Sequence, residues 1–323
     1  MMQFLLIGIG AGAAAGLLFA SIASGALAAA ILFYLAPLPV LIAALGWSHV
    51  AALIAVATAG LGLGLVYGPF LAGTFLVIAG IPAWWLGYLA MLARPVNAEG
   101  SLEWYPIGRL VIWAAVIGTL VVAMAIPNFG MDYESFRDAL RTSFQQILDN
   151  AGQSAGQGQS AQNLSGMLDT LVAVVPVAAA IVSTLMTLLN LWLAGKIVSL
   201  SGRLRRPWPD LSAIELPRNA AYALIAAVLA MMLPGLVGVL AGAVAASLAI
   251  AFAALGFAVL HVLTRGMAAR GLMLGAAYAS ALFVGWPALV VAIVGFAESF
   301  LHLRARAVNR PPLPPASNSN IPN

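Results

Sequence analysis

Residues 188–218, LLNLWLAGKIVSLSGRLRRPWPDLSAIELPR, decide how this chain is arranged. An apolar run that begins near Leu171 ends here in five of the chain's fourteen Lys and Arg residues. These five are Lys196, Arg203, Arg205, Arg206 and Arg218. A cation at the centre of a bilayer costs roughly 2.5–3.5 kcal/mol on insertion scales, and Lys and Arg gather in cytoplasmic loops. The stretch therefore predicts a helix that leaves the membrane at a cytoplasmic basic loop, 196–218.

The composition indicates that the rest of the chain spans the membrane as well. Hydrophobic residues account for 63% of the 323 residues and charged residues for 7%, too few to cover a soluble domain. The apolar runs are continuous, whereas the strands of a β-barrel alternate over ~10 residues. We predict an all-α integral membrane protein: one polytopic bundle of about 8–10 transmembrane helices over 1–308, with one amphipathic interfacial helix.

The composition also limits the chemistry of the chain. It has no cysteine, which excludes disulfides, thiolate nucleophiles and sulfur ligands for metals. The net charge is +4, but the cations stand in small groups beside apolar spans. This pattern favours contact with anionic lipid headgroups over nucleic-acid binding. The bilayer is the predicted partner, and we expect no cofactor, metal or nucleic acid.

Residues 1–93 carry no charged side chain, and one span needs about 20 residues. We predict four spans, with three longer and more tilted ones as the alternative. The four lie near 3–22, 25–46, 49–67 and 70–93. Pro37, Pro39 and Pro82 are expected to kink the second and fourth, because proline removes a helical hydrogen bond. The N-terminus is placed in the cytoplasm.

Small residues recur every four positions in two of these spans. The first row is Gly8, Gly12, Gly16, Ala20 and Ser24, and the second is Gly60, Gly64 and Gly68. Rows without bulky side chains let helix backbones approach closely in a membrane. We predict that both rows are helix-packing faces.

A polar loop, 94–109, and a span over 110–126, ended by Pro127, lead to one long polar segment, 129–169. This segment contains five acids and two arginines, a bias opposite to that of the basic loop. One crossing separates the segment from each basic loop. It is therefore predicted to lie on the far side of the membrane, the periplasm of a Gram-negative cell.

Within the polar segment, residues 133–148 have helical periodicity. One face carries the apolar side chains Phe136, Leu140, Phe144, Ile147 and Leu148. The pattern predicts an amphipathic helix that lies on the membrane or caps the bundle, with a moving gate or a docking helix as the alternative. Residues 152–163 are predicted to form a flexible linker.

Two apolar regions follow the basic loop. Residues 220–264, broken at Pro234, predict two spans that return the chain to the basic side. Residues 271–303 form either one long tilted helix or a re-entrant hairpin that splits at 285–287. We favour the split, because it leaves the arginines after residue 303 in the cytoplasm. The tail, 309–323, is predicted to be disordered.

Two segments resemble a known family. The basic stretch contains Asn190, Trp192, Pro207-Trp208-Pro209-Asp210 and Leu216-Pro217, and GWPALVVAIVGFAESFLHLRAR contains Gly295, Glu298 and Arg304. Both segments resemble the YybS-like family of uncharacterised polytopic bacterial inner-membrane proteins. The resemblance implies a multi-pass protein of the bacterial inner membrane. It also implies distant similarity to the substrate-capture subunits of vitamin transporters, and hence a small-molecule cavity.

Four residues are candidates for binding a solute: Glu298, Asn190, Trp192 and His261. Glu298 lies deep in apolar sequence and should be paired, protonated or interfacial, with His302 at i+4 as a partner. Asn190 is expected to bond backbone, a neighbouring helix or a substrate. His261 has no second ligand nearby, so a packed histidine is favoured over a metal site.

The remaining candidates define topology and headgroup contact. They are Lys196, Arg203, Arg205, Arg206, Trp208 and Arg218. Trp208 stands between two prolines, which hold it in an extended loop and indicate headgroup depth.

The acids lie mostly in loops, so the sequence predicts a non-enzymatic protein without a clustered catalytic site. The leading hypothesis is a protein that binds or transports a small, largely apolar solute, alone or with other membrane subunits. The alternative is a membrane scaffold or envelope assembly factor.

Overall fold

The computed structural model describes residues 1–96, 101–152 and 161–308. It is 81% helical. The helices are α1 (Met2–Ala20), α2 (Leu27–Tyr34), α3 (Pro37–Gly46), α4 (His49–Tyr67), α5 (Pro69–Phe75), α6 (Ile81–Ala90), α7 (Ile107–Phe129), α8 (Tyr133–Gly152), α9 (Ala161–Leu200), α10 (Arg218–Ala230), α11 (Leu236–Leu263), α12 (Arg270–Phe283), α13 (Pro287–Leu301) and α14 (Leu303–Val308). Strands β1 (Ala93–Pro95) and β2 (Leu102–Trp104) form an antiparallel hairpin.

The chain divides into two compact units. The first unit contains Met1–Asp210 and Glu215–Ala251, and the second contains Leu211–Ile214 and the chain from Phe252 onward. This division does not test the prediction of one transmembrane domain over 1–308, which stays a prediction. The predicted tail, 309–323, lies outside the described residues.

Seven segments of the described chain are long and apolar enough to cross a membrane. They are Met2–Ser24, Ala28–Gly46, His49–Tyr67, Pro69–Ala90, Ile107–Phe129, Thr170–Leu200 and Leu236–Leu263. The all-α polytopic class is confirmed, and so are four spans rather than three before Arg94. Counting the bent pair α12–α13 as one more span gives eight, the lower end of the predicted number.

Two predicted boundaries are wrong. A full span was expected at the start of 220–264, but α10 has 13 residues. A helix of that length covers about 20 Å, so α10 alone is shorter than the ~30 Å of hydrocarbon. The span at 110–126 was expected to end before Pro127, yet α7 runs through Pro127 to Phe129. Its last turn continues because N–H groups after the proline still find acceptors: the Gly130 N–H bonds the Ile126 carbonyl.

The second span breaks beside Pro37, as predicted, and the fourth contains a π-helical turn; the kinks predicted at Pro39 and Pro82 stay predictions. The second breaks between α2 and α3, where Pro37 has no N–H to donate and Leu38 N–H bonds the Leu35 carbonyl instead. In the fourth, a π-helical turn over Leu76–Gly80 comes directly before α6, whose second residue is Pro82. Short π-helical turns inside α-helices are frequent at functional sites.

The first row of small residues packs α1 against α4. A methyl group at Gly12 would lie 2.5 Å from the Ala55 carbonyl oxygen, and one at Gly8 would lie 2.8 Å from the Ala51 carbonyl oxygen. The second row faces the next span, with Gly60 against Leu76. Both rows are therefore helix-packing faces, as predicted, except at their ends: Ser24 lies beyond α1, and Gly68, after α4, has nothing within 4 Å.

Helix α8 has its apolar face against the bundle. Its start is capped by Asp132, which accepts bonds from the Ser135 hydroxyl at 2.6 Å and the Ser135 N–H at 3.0 Å; these bonds lower the pKa of Asp132. Phe136 and Leu140 are buried in one cluster with Ile126 and Val172. The described part of α8 thus caps the bundle.

The flexible linker predicted over 152–163 is shorter than expected. Gly152 is the last residue of α8, and α9 begins at Ala161. The rest of that prediction, 153–160, lies outside the described residues, and so do the side chains of Ile147 and Leu148 on the predicted apolar face.

The hairpin β1–β2 was missed by the sequence analysis, which placed a loop at 94–109. Arg94 faces Glu103 across the two strands, with their side chains 2.7 Å apart and well exposed. Strands of three residues are too short to show the alternating pattern of a β-strand, so the sequence did not predict them.

In the second unit, α12 and α13 meet at a sharp bend of 118° beside Gly285. The predicted split at 285–287 is confirmed. Arg265, before the pair, donates to the Ser212 hydroxyl at 2.7 Å, and Arg304, after it, donates to the Ser212 carbonyl at 2.8 Å. An arginine side chain is far shorter than the ~30 Å hydrocarbon core. Both ends of the pair therefore lie at one level, which favours a re-entrant hairpin over one broken span.

This hairpin can be tested with single cysteines at Ala269 and Ala305, since the chain has no cysteine of its own. We expect a membrane-impermeant maleimide to label both positions from the same side of sealed vesicles. A cysteine at Met131 serves as the control for the opposite face of the membrane. Labelling of Ala269 and Ala305 from opposite sides would show that α12 and α13 together make one crossing.

Candidate functional site

The basic loop is tied to the first unit by Arg206. Its guanidinium donates to the Ala90 carbonyl at the end of α6 (3.1 Å) and to the Tyr105 carbonyl before α7 (2.9 Å). Burial lowers the pKa of Arg206. The two carbonyls accept hydrogen bonds from the guanidinium but do not neutralise its positive charge. Two crossings, α7 and α9, separate Tyr105 from Arg206, and the contact places both at one end of the unit.

Two other cations of the loop lie over indole rings. The Lys196 ammonium is 5.3 Å from the centroid of Trp208, and the Arg203 guanidinium is 4.8 Å from the centroid of Trp47. Cation–π contacts of this kind contribute about 0.5–1 kcal/mol at exposed sites. Trp208, Arg205 and Arg218 are exposed, and their contact with headgroups stays a prediction.

The first unit contains a cavity of about 180 Å³. It is lined by Phe19, Phe33, Tyr34, Pro37, Ile78, Ala79, Val121, Ala179, Ser183, Met186, Thr187 and Asn190. Most of these side chains are apolar, and none carries a charge. The lining includes Pro37 at the break between α2 and α3 and two residues of the π-helical turn, so irregular backbone surrounds the cavity.

Asn190 is the most polar residue of the lining and is only 1% exposed. Its Nδ2 donates to the Tyr34 carbonyl and to the Met186 carbonyl, both at 2.8 Å. Only the amide nitrogen can donate to two carbonyls, which fixes the orientation of the side chain. Its Oδ1 is buried and has no hydrogen-bond partner within the described part of the chain.

The bond to Tyr34 follows from the break in the second span. Leu38 N–H, which would reach the Tyr34 carbonyl in a continuous helix, bonds Leu35 instead. Asn190 therefore satisfies a carbonyl that the broken helix leaves open. Of the partners expected for Asn190, the structure shows backbone carbonyls, one of them on a neighbouring helix.

Trp192 lies two residues after Asn190, about 200° further round α9. It is 45% exposed. Ser183 and Thr187, in contrast, lie two turns and one turn before Asn190 on the same helix face. Ser183, Thr187 and Asn190 have the helical spacing i, i+4 and i+7, a pattern that is visible in the sequence alone.

Glu298 and His261 belong to the second unit. Glu298 is 7% exposed and accepts from Arg304 Nε at 2.7 Å and from the Arg304 backbone N–H at 3.3 Å. The expected partner, His302, is wrong. His302 has a φ of 52° and ends α13, so the chain turns back and brings Arg304 onto the carboxylate.

His261 is held inside the second unit by local contacts. Its Nδ1 lies 2.9 Å from the Phe257 carbonyl, and its ring meets Tyr278 edge-on at 5.9 Å. These contacts fit the packed histidine that the sequence favoured. Over residues 1–96, 101–152 and 161–308, no group of three or more His, Asp and Glu side chains could hold a metal ion.

No curated protein and no solved structure matches the chain. One family model does match, and its description is "Predicted membrane protein (DUF2232)". The match extends over residues 13–299. This range includes the cavity lining, Glu298 and all seven candidate spans apart from the first eleven residues of the first span. The chain therefore belongs to this family of membrane proteins.

Proposed function

We propose that this protein binds a small, largely apolar solute in the cavity of the first unit, without catalysing a reaction. The observation that carries the proposal is the cavity itself, a space of about 180 Å³ lined mostly by apolar side chains of α1, α2, α7 and α9. Packed protein interiors contain few voids larger than a water molecule. A cavity of this size therefore suggests an occupant.

The volume limits the size of that occupant. An apolar cavity of about 150 Å³ holds one benzene ring, whereas drug-sized ligands occupy pockets of about 300–1,000 Å³. A single ring with a short substituent fits the space, and a vitamin made of several rings does not fit without expansion. The matching family model names neither vitamin-transporter subunits nor the YybS-like family, so both resemblances stay predictions.

The irregular helices around the cavity favour a role in solute movement. The break at Pro37 and the π-helical turn both contribute to the lining. Discontinuous helices surround the substrate sites of many transporters, because their ends and unwound backbone groups can contact the solute. Transport, alone or with other membrane subunits, is the extension of binding that this geometry supports.

The binding proposal is tested by ligand-dependent thermal stabilisation of the purified protein in detergent. We expect single-ring solutes to raise the melting temperature of the natural chain, and Ala179→Leu, which fills the cavity, to abolish the rise. Leu185→Ala, at an exposed position of the same helix, is the matched control and should leave the rise intact. A panel of rings that stabilises none of the proteins, or all of them equally, would remove the support.

We further propose that the protein lies in the bacterial inner membrane with its N-terminus and loop 196–218 in the cytoplasm. The support is the excess of Lys and Arg in that loop and its contact, through Arg206, with the loop before α7. The exposed cations would meet anionic lipid headgroups. In intact cells, we expect an impermeant maleimide to leave a cysteine at Ser201 unlabelled and to label one at Met131. Labelling at Ser201 but not at Met131 would show that the orientation is the opposite of the proposed one.

The scaffold hypothesis has weaker support. Its docking surface on α8 was expected to include Phe136, which is buried against the bundle. Crosslinking from Arg205, which is exposed, remains the direct test for a partner at the basic loop.

A further inference from the structure

Asn190 lines the cavity, and the one hydrogen-bonding atom that its amide has left is an acceptor. Both of its N–H groups are engaged, by the Tyr34 carbonyl and the Met186 carbonyl at 2.8 Å each. Its Oδ1 is buried and has no partner in the described residues. A carbonyl oxygen in that position needs a donor, and a buried polar atom without a partner is destabilising.

The charge of the lining restricts which donor can enter. None of the twelve lining residues carries a formal charge. An ionised group would lose its hydration on entering such a space and gain no counter-ion. An anion would also meet the negative end of the Asn190 amide. These two features exclude carboxylates and phosphates and favour a neutral solute.

We propose that the solute is a neutral single-ring molecule with an O–H or N–H group that donates to Asn190 Oδ1. Asn190 is then the residue that determines specificity. This inference rests on the proposed function, because it takes the cavity as the binding site. Alcohols, phenols and amides are the chemical classes that meet the requirement, whereas ethers and hydrocarbons of the same size lack the donor.

Two further side chains can serve the same group of the solute. Ser183 and Thr187 line the cavity on the face of α9 that carries Asn190. A hydroxyl group of the solute has lone pairs as well as a proton, and a side-chain hydroxyl can donate to them. The polar face of α9 thus matches one small polar group, and the aromatic side chains opposite match a ring.

The test uses three fluorinated rings of similar size and different polarity, followed by fluorine NMR in detergent. They are para-fluorophenol, which donates, para-fluoroanisole, which only accepts, and para-fluorotoluene, which does neither. Binding to Ala179→Leu is subtracted as the detergent background. On the natural chain we expect para-fluorophenol to bind roughly three- to tenfold tighter than the other two, the effect of one net hydrogen bond. Para-fluorobenzoate, an anion, should not bind.

Each outcome separates this inference from the function on which it rests. Equal affinity of the three neutral rings, lost in Ala179→Leu, would overturn the donor requirement and leave solute binding intact. Binding of para-fluorobenzoate as tight as that of para-fluorophenol would overturn the neutral class. If every ring bound Ala179→Leu as tightly as it binds the natural chain, both proposals would be overturned.

A variant assigns the effect to one atom. Asn190→Leu removes the acceptor, and we expect para-fluorophenol to bind it only as tightly as para-fluorotoluene binds the natural chain. This variant also frees the Tyr34 carbonyl and can fail to fold. The comparison of ligands on the natural chain does not depend on it, so the proposal can be overturned without the variant.

Discussion

Replacing Arg304 with alanine is expected to lower the free energy of unfolding by about 3–5 kcal/mol, the usual result of leaving one member of a buried ion pair alone. Arg304 is 15% exposed, and Glu298, its partner at 2.7 Å, is 7% exposed. The same side chain also donates to the Ser212 carbonyl. Denaturant titration in mixed micelles, with a tryptophan signal, measures the change.

The hairpin β1–β2 provides a matched control for this prediction. Arg94 and Glu103 are also 2.7 Å apart, but their side chains are 78% and 50% exposed. Exposed pairs contribute at most about 1 kcal/mol, so Arg94→Ala should change stability little. The double change Glu298→Leu with Arg304→Leu should recover part of the loss, because it removes the unpaired charge. Equal effects of Arg304→Ala and Arg94→Ala would refute the importance of burial at this site.

The second large effect is expected from Gly12→Val. The new side chain would begin 2.5 Å from the Ala55 carbonyl oxygen, and a backbone atom cannot move aside as a flexible side chain can. Helices α1 and α4 would have to separate along their whole contact. Overpacking of this kind destabilises by about 1–3 kcal/mol. We expect a lower melting temperature and a smaller yield of folded protein.

Gly10→Val is the matched control, two residues away on the same helix. A side chain there meets nothing within 4 Å. Both substitutions have the same effect on helix propensity, so the difference between them isolates the contact between α1 and α4. If the two variants melted at the same temperature, the row of small residues would not be a packing face.

The class of the fold and most of the spans could be predicted because they depend on local composition. Long uncharged runs predict helices wherever they occur. Helix irregularities near Pro37, Pro82 and Gly285 can also be predicted, because proline lacks an N–H and glycine tolerates a positive φ. The same local logic failed at Glu298. Its i+4 partner assumes a helix that continues, and the positive φ of His302 is invisible in the sequence.

The candidate site was predicted only in part. Asn190 was selected as a polar residue in an apolar helix, and this selection needs no structure. Its contact with Tyr34 joins residues 156 positions apart, and no local pattern encodes such a distance. The cavity also depends on which faces of the first spans meet α9. Ser183 and Thr187 could have been found from their spacing, because they repeat the helical period of Asn190.

The contacts of Ser212 can form only in a fixed order as the protein is synthesised. Ser212 leaves the ribosome 53 residues before Arg265 and 92 residues before Arg304. During that interval neither arginine is available to it, and the acceptor for the last helices is made long before the helices themselves. The contacts of Ser212 with the two arginines can therefore form only after α13 has been made, so the loop that holds Ser212 waits for both helices before it is fixed.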